Sequence, residues 1–118
     1  MRTKADTKAA YSRFLDTVNQ NDLVWFLLDV HEDYPAYCMS NNSERSVYPF
    51  WSDAAYARRT QIKFDFETKV DKIPLSSFIS RTLPHLKDID ALIGPNWDGQ
   101  LAGSEIEVED FKSDLLRD

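Results

Sequence analysis

Leu23-Val24-Trp25-Phe26-Leu27-Leu28 is the longest unbroken apolar run in the chain, and how it is read decides the fold. Six residues fall far short of the roughly 20 that cross a bilayer. Polar turn formers close the run on both sides, Asn19-Gln20-Asn21-Asp22 before it and His31-Glu32-Asp33-Tyr34-Pro35 shortly after. A short continuous run bounded in this way reads as a strand covered on both faces, which places it at the centre of a sheet. Upstream, Ala10, Tyr11, Phe14, Leu15 and Val18 recur at helical spacing and predict an amphipathic helix from about Lys4 to Asn19. That helix stops where amide side chains compete for backbone hydrogen bonds and tolerate the left-handed conformation of a helix end.

Downstream, Ala36-Tyr37-Cys38-Met39 and Ser46-Val47-Tyr48-Pro49-Phe50-Trp51 are two further short strands separated by the Asn41-Asn42-Ser43-Glu44 turn, which implies an antiparallel meander. Pro49 lacks the N–H of a central ladder, so its strand is expected to end there or to lie at an edge. Ser52-Asp53 caps a short helix, Ala54 to Arg59. Residues 61–66 read as a loop or edge strand. A third helix starts around Ile73-Pro74-Leu75 with Leu75, Phe78 and Ile79 on one face, and Pro84 kinks or ends it. Ala91-Leu92-Ile93 is another buried strand, stopped by Gly94-Pro95-Asn96-Trp97-Asp98-Gly99. Gln100 to Val108 can return as a strand, and a short acidic helix closes the chain with Phe111, Leu115 and Leu116 turned inward. The order predicts an α+β fold, a small, largely antiparallel sheet of about five strands with three to four helices packed around it.

The 118 residues, 42% of them hydrophobic, suffice for one core, and a single domain over 1–118 is expected. Twenty acids against fourteen bases give a net charge of −6, the wrong field for phosphate, so nucleic acid is not an expected partner. Without a membrane-spanning run or the apolar core of a signal peptide, the chain reads as soluble and cytoplasmic, with no membrane partner. The lone Cys38 can neither close a disulfide within the chain nor build a thiolate metal site.

Val24-Trp25, then Val47-Tyr48-Pro49-Phe50-Trp51-Ser52 running straight into Ala54-Ala55-Tyr56-Ala57, resembles the small bacterial family called domain of unknown function 2750. In that family a V-W-x-L strand precedes a V-x-P-x-W segment and a short Y-A helix. Ile73-Pro74-Leu75-Ser76-Ser77-Phe78, Leu83-Pro84 and Ala91-Leu92-Ile93 resemble its I-x-L-x-x-F, L-P and V-x-V-F-P stretches, so the likeness runs from Phe14 to Leu115. It departs at the turns His31 to Tyr34 and Asn41 to Glu44, where the family carries glycine, and between Arg59 and Val70. The resemblance implies a fold and surface positions at Trp25, Pro49 and Trp51. It implies no catalytic residue, because the family has no established reaction.

The residues themselves offer little chemistry. His31-Glu32-Asp33 reads as a solvated turn rather than a metal site. Cys38, within an apolar strand, reads as a small buried hydrophobe rather than a nucleophile. No serine-hydrolase signature occurs, and Gly94, Gly99 and Gly103 are too dispersed for a phosphate loop. Neither a cofactor nor a metal is expected. The pairs Glu107/Glu109 and Asp88/Asp90 read as solvated faces. What remains is the aromatic and basic group Tyr48, Trp51, Tyr56, Arg58 and Arg59, with Trp97 in its own loop, because large aromatics and Arg dominate contact energies at protein interfaces. The same aromatics also suit a core, and alternation sends Tyr48 and Trp51 to opposite faces of the strand. The expected function is a non-catalytic protein-binding or accessory module. The alternatives are a small enzyme assembled from His31, Asp33, Cys38 and Asp98, or a homodimer formed through an edge strand.

Overall fold

The computed structural model describes residues 4–117. Helix α1 (Lys4–Asn21) leads into β1 (Leu23–Asp29) through Asp22, which takes the left-handed conformation at φ 58° and donates its N–H to Val18 O at 2.9 Å. Among the described residues, seven short strands form two sheets. The first has the order β2-β1-β5, with β2 at Tyr34–Pro35 and β5 at Thr68–Pro74; the second has the order β3-β4-β6-β7, with β3 at Cys38–Met39, β4 at Ser46–Phe50, β6 at Leu92–Pro95 and β7 at Ile106–Glu107. Of the pairings, only β4 with β6 is parallel. The α+β class and the largely antiparallel pairing are as expected. The meander is divided, because the chain leaves the first sheet after β2 and starts the second at β3.

β1 is central in its sheet and covered on both faces, as its apolar run requires. Val24 and Phe26 join the main core, while Trp25 and Leu27 join a smaller cluster on the other side. The main core draws Phe14 and Val18 from α1, Tyr48 and Phe50 from β4, and Ile93 from β6. It is closed by Leu75, Phe78, Leu83 and Leu86 of the helical segment 75–88 and by Val108, Phe111 and Leu115 of the last helix, α5 (Val108–Leu115). Leu116, expected to turn inward, is 54% exposed, since it falls just past the end of that helix.

Pro49 lies inside β4, between β3 and β6, rather than at a strand end or edge. β3 pairs only with Val47 and Ser46, and β1 next touches this strand at a single bridge, where Trp25 and Trp51 exchange N–H···O bonds of 2.8 Å. Trp51 N–H points toward β1, so by the two-residue alternation the Pro49 nitrogen faces that same side. It meets the gap between the two partners, and no ladder bond is lost.

Segment 75–88 is helical throughout: α3 (Leu75–Ser77), a π turn (Phe78–Thr82) and α4 (Leu83–Asp88). Leu83 N–H bonds Phe78 O across the wide turn, and Pro84 follows at the start of α4. A proline needs no N–H partner and must avoid the carbonyl four residues back, so the register change accommodates it and the helix continues. The remaining helix, α2 (Ala54–Arg58), is capped by Asp53, whose carboxylate accepts the Ala55 N–H at 2.7 Å. No helix among the described residues is long and apolar enough to cross a membrane.

Candidate functional site

Three of the six candidate residues are interior. Trp51 is fully buried against Leu27, Ala36 and Ala57, and its Nε1 donates to Trp97 O at 2.9 Å. Trp97 donates from its own Nε1 to Ser104 O at 2.7 Å and covers Val47 and Leu92, the core-covering role rather than the exposed one. Tyr48 is also buried. Of the surface positions that the family resemblance implied, Pro49 and Trp51 are buried and Trp25 is half-buried. Tyr48, Pro49 and Trp51 share one reason: β4 and the residue that follows it are sandwiched between the main core and the two smaller clusters, so both faces are covered.

The other three form an accessible corner. Arg58 and Arg59 are exposed at the end of α2, and the Arg59 guanidinium carbon sits 4.9 Å from the centre of the half-buried Tyr56 ring. Ala57, on the opposite face of the same helix, is fully buried, which fixes the corner to the core. Just beyond, in a 3-10 turn (Gln61–Lys63), Ile62 is 86% exposed.

A second feature was not legible in the residues one by one. An open cleft of about 650 Å³ lies beside β2, lined by Asp29, Glu32, Tyr34, Tyr37 and Phe66 among others. Tyr34 Oη is 2.7 Å from both Tyr48 Oη and His85 Nε2, and the Tyr37 ring stacks on Tyr48 at 5.0 Å. In the sequence Tyr34 reads as part of a polar turn and Tyr37 as part of a strand. The available signal was two tyrosines flanking Pro35-Ala36 beside an acidic turn, but their convergence with His85 is tertiary.

The groups of the alternative enzyme reading are engaged in different places. His31 pairs with Glu67 at 3.6 Å, both largely exposed. Cys38 packs against the Val47, Leu92 and Trp97 cluster, and burial pushes its thiol up from the ordinary value, the wrong direction for a nucleophile. Asp98 accepts the N–H groups of Gln100 and Ala102 and so shapes its own turn. Asp33 occupies a left-handed turn position at φ 52°. Among the described residues no three His, Cys, Asp or Glu side chains are gathered as metal ligands. Glu107 of the carboxylate pairs is held by Arg45, and Glu109 by Lys87.

Together these features define a small α+β fold with two short sheets, a tightly tied interior and two accessible features, one basic and one acidic. The family model described as "Protein of unknown function (DUF2750)" matches residues 11–115, and the chain belongs to that family. No curated protein and no solved structure matches it.

Proposed function

We propose that the protein is a non-catalytic binding module of the bacterial cytoplasm, which docks a partner protein through the corner formed by Tyr56, Arg58, Arg59 and Ile62. The observation that carries this reading is Ile62, a large aliphatic side chain 86% exposed, three residues beyond a pair of exposed arginines at the end of a helix anchored in the core. An apolar centre beside guanidinium groups is the composition of an interface hot spot. On a chain with net charge −6, these cations favour a partner surface carrying carboxylates around an apolar pocket. Trp51 supports the corner from within, in the same cluster as Ala57 and Tyr56. Cytoplasmic placement is supported by the single cysteine, which has no disulfide to form within the chain.

A photo-crosslinking residue in place of Ile62, introduced in the native cell, tests this directly. The expected outcome is a discrete protein adduct whose yield falls about tenfold in the Arg58→Ala/Arg59→Ala double variant, the loss expected for one hot-spot residue. Thermal unfolding of that variant stays unchanged. No adduct, or an adduct indifferent to both arginines, overturns the proposal.

A further inference from the structure

We infer that the cleft beside β2 is a binding site for an alkylammonium group, held between the tyrosine and phenylalanine rings with Glu32 and Asp29 at its rim. The charge of the lining sets the sign of the ligand. Asp29 and Glu32 are its acidic side chains, and neither Lys nor Arg is among the lining residues, so an anion would be repelled and a cation attracted. The rings set the kind of cation. Tyr37 and Phe66 are 46% and 38% exposed, and Tyr34 stands edge-on to Tyr37 with ring centres 6.3 Å apart. Aromatic faces carry negative potential and attract a diffuse organic cation within about 6 Å, without asking it for a hydrogen bond. A hard metal ion would need more oxygen ligands than two carboxylates supply, whereas an alkylammonium group is satisfied by ring faces and one or two acids.

The walls are held in place before any ligand arrives. The Tyr34 hydroxyl is bound at 2.7 Å to both the Tyr48 hydroxyl and His85 Nε2, which ties the cleft to β4 and to α4. Tyr37 lies on the ring of the same buried Tyr48, with 23° between the planes. Asp29 is fixed as well: its Oδ1 accepts the N–H groups of His31 and Glu32 at 3.0 and 3.2 Å. Exposed aromatic side chains on a surface ordinarily have freedom to lose on binding; here the buried Tyr48 and the turn have already removed much of it. Tyr48 is therefore a positioning residue for this site. At about 650 Å³ the cleft exceeds the needs of a trimethylammonium head, so the chain carrying that head lies along the remaining apolar floor formed by Pro35 and Ala36.

An amide chemical-shift titration of the full chain tests the assignment with three probes. These are choline, its neutral isostere 3,3-dimethyl-1-butanol, and a short peptide containing trimethyllysine. Saturable shifts confined to residues around Asp29, Tyr37 and Phe66 are expected with a cation and not with the isostere. Tighter binding of the peptide identifies the source as a modified protein, and tighter binding of choline identifies a free small molecule; both outcomes support the site. Tyr37→Ala and Glu32→Gln, each at an exposed position, should weaken the cation by about three- to tenfold, the range of a cation–π or exposed charge contact, with the unfolding midpoint of Glu32→Gln unchanged. No saturable shift, equal binding of the isostere, or affinity indifferent to both variants overturns the inference. Neither variant touches Arg58, Arg59 or Ile62, so failure here leaves the protein-docking proposal standing.

Discussion

Trp97 shows how little room single residues are given. A Cβ at Gly94 would lie 2.5 Å from its indole, and one at Gly103 would also lie 2.5 Å from it, so the two glycines clasp the ring from both ends of its loop. Gly94→Ala and Gly103→Ala should each cost about 1–3 kcal/mol by overpacking. Gly99→Ala, whose Cβ would meet only Arg59 Cδ at 3.9 Å, should stay within about 0.5 kcal/mol, as surface changes do. Urea unfolding of the three variants checks the contrast, and equal losses at all three would contradict it. In the sequence Gly94 and Gly99 read as turn punctuation, and Gly103 falls within the stretch Gln100 to Val108 that can return as a strand. None of them uses a positive φ; among the described residues the left-handed positions are Asp22, Asp33, Asp90, Asn96 and Leu101. Asp90 of that set read only as part of a solvated face, whereas Asp22, Asp33 and Asn96 were legible, because such side chains bond their own backbone in turns. The glycine requirement was not, since it comes from an indole folded back upon them. Asn96 is similar: its buried amide accepts Ser52 N–H at 2.8 Å and donates to Ala10 O at 3.4 Å, tying β6 to β4 and α1 through contacts that no local pattern announces.

Among the elements, the one the sequence concealed is β5, the long antiparallel partner that runs from Leu23↔Pro74 to Asp29↔Thr68. Its apolar residues within Thr68–Ile73, Val70 and Ile73, stand three apart among Lys69, Asp71 and Lys72. That spacing belongs to a helix rather than a strand, and the surrounding charges mark an outer strand whose free side faces water. The helix begun at Ile73 was thus placed two residues early. A contact between elements carries a measurable consequence at Arg45, just before β4, which donates to both Glu107 oxygens of β7 at 2.6 and 2.7 Å and to Asp90 O at 2.9 Å. Arg45→Ala should lower stability by about 1 kcal/mol, a figure held down because the Glu107 side chain is half exposed and screened by solvent. The hydrogen bond from Arg45 holds the Glu107 carboxyl below its ordinary 4.5. A carboxyl depressed by folding stabilises above its unfolded value and loses that contribution as pH falls through the folded one. The difference between wild type and Glu107→Gln should therefore be full at neutral pH and close below pH 4.5; a gap independent of pH would show that the pair contributes no charge-linked stability.

At the scale of the molecule, the same sign argument runs in the alkaline direction. Burial, reinforced by the bond to Asp114 at 2.7 Å, pushes the Tyr11 phenol above its ordinary 10.0. Burial, followed by the Tyr34 hydroxyl, does the same to Tyr48. Phenols raised by folding lend stability that is whole below pH 10 and drains away as pH rises beyond it, because the unfolded chain releases those protons first. Unfolding midpoints should fall above pH 10, and the fall should be shallower in Tyr11→Phe/Tyr48→Phe; identical slopes would remove these two groups as its cause. The sequence by itself determined the opening helix, the buried run that became β1, the turn positions suited to Asp and Asn, and the α+β class. Each of these depends on the spacing of neighbours within one turn or one strand, where hydrophobic period and backbone preference act locally. Tertiary structure alone decided the rest. The parallel pairing of β4 with β6, the hidden partner β5 and the cleft gathered by Tyr34, Tyr48 and His85, which stand 14 and 51 residues from Tyr34 along the chain, arise from distant segments competing to cover the same apolar surface. No local preference encodes which of those segments will meet.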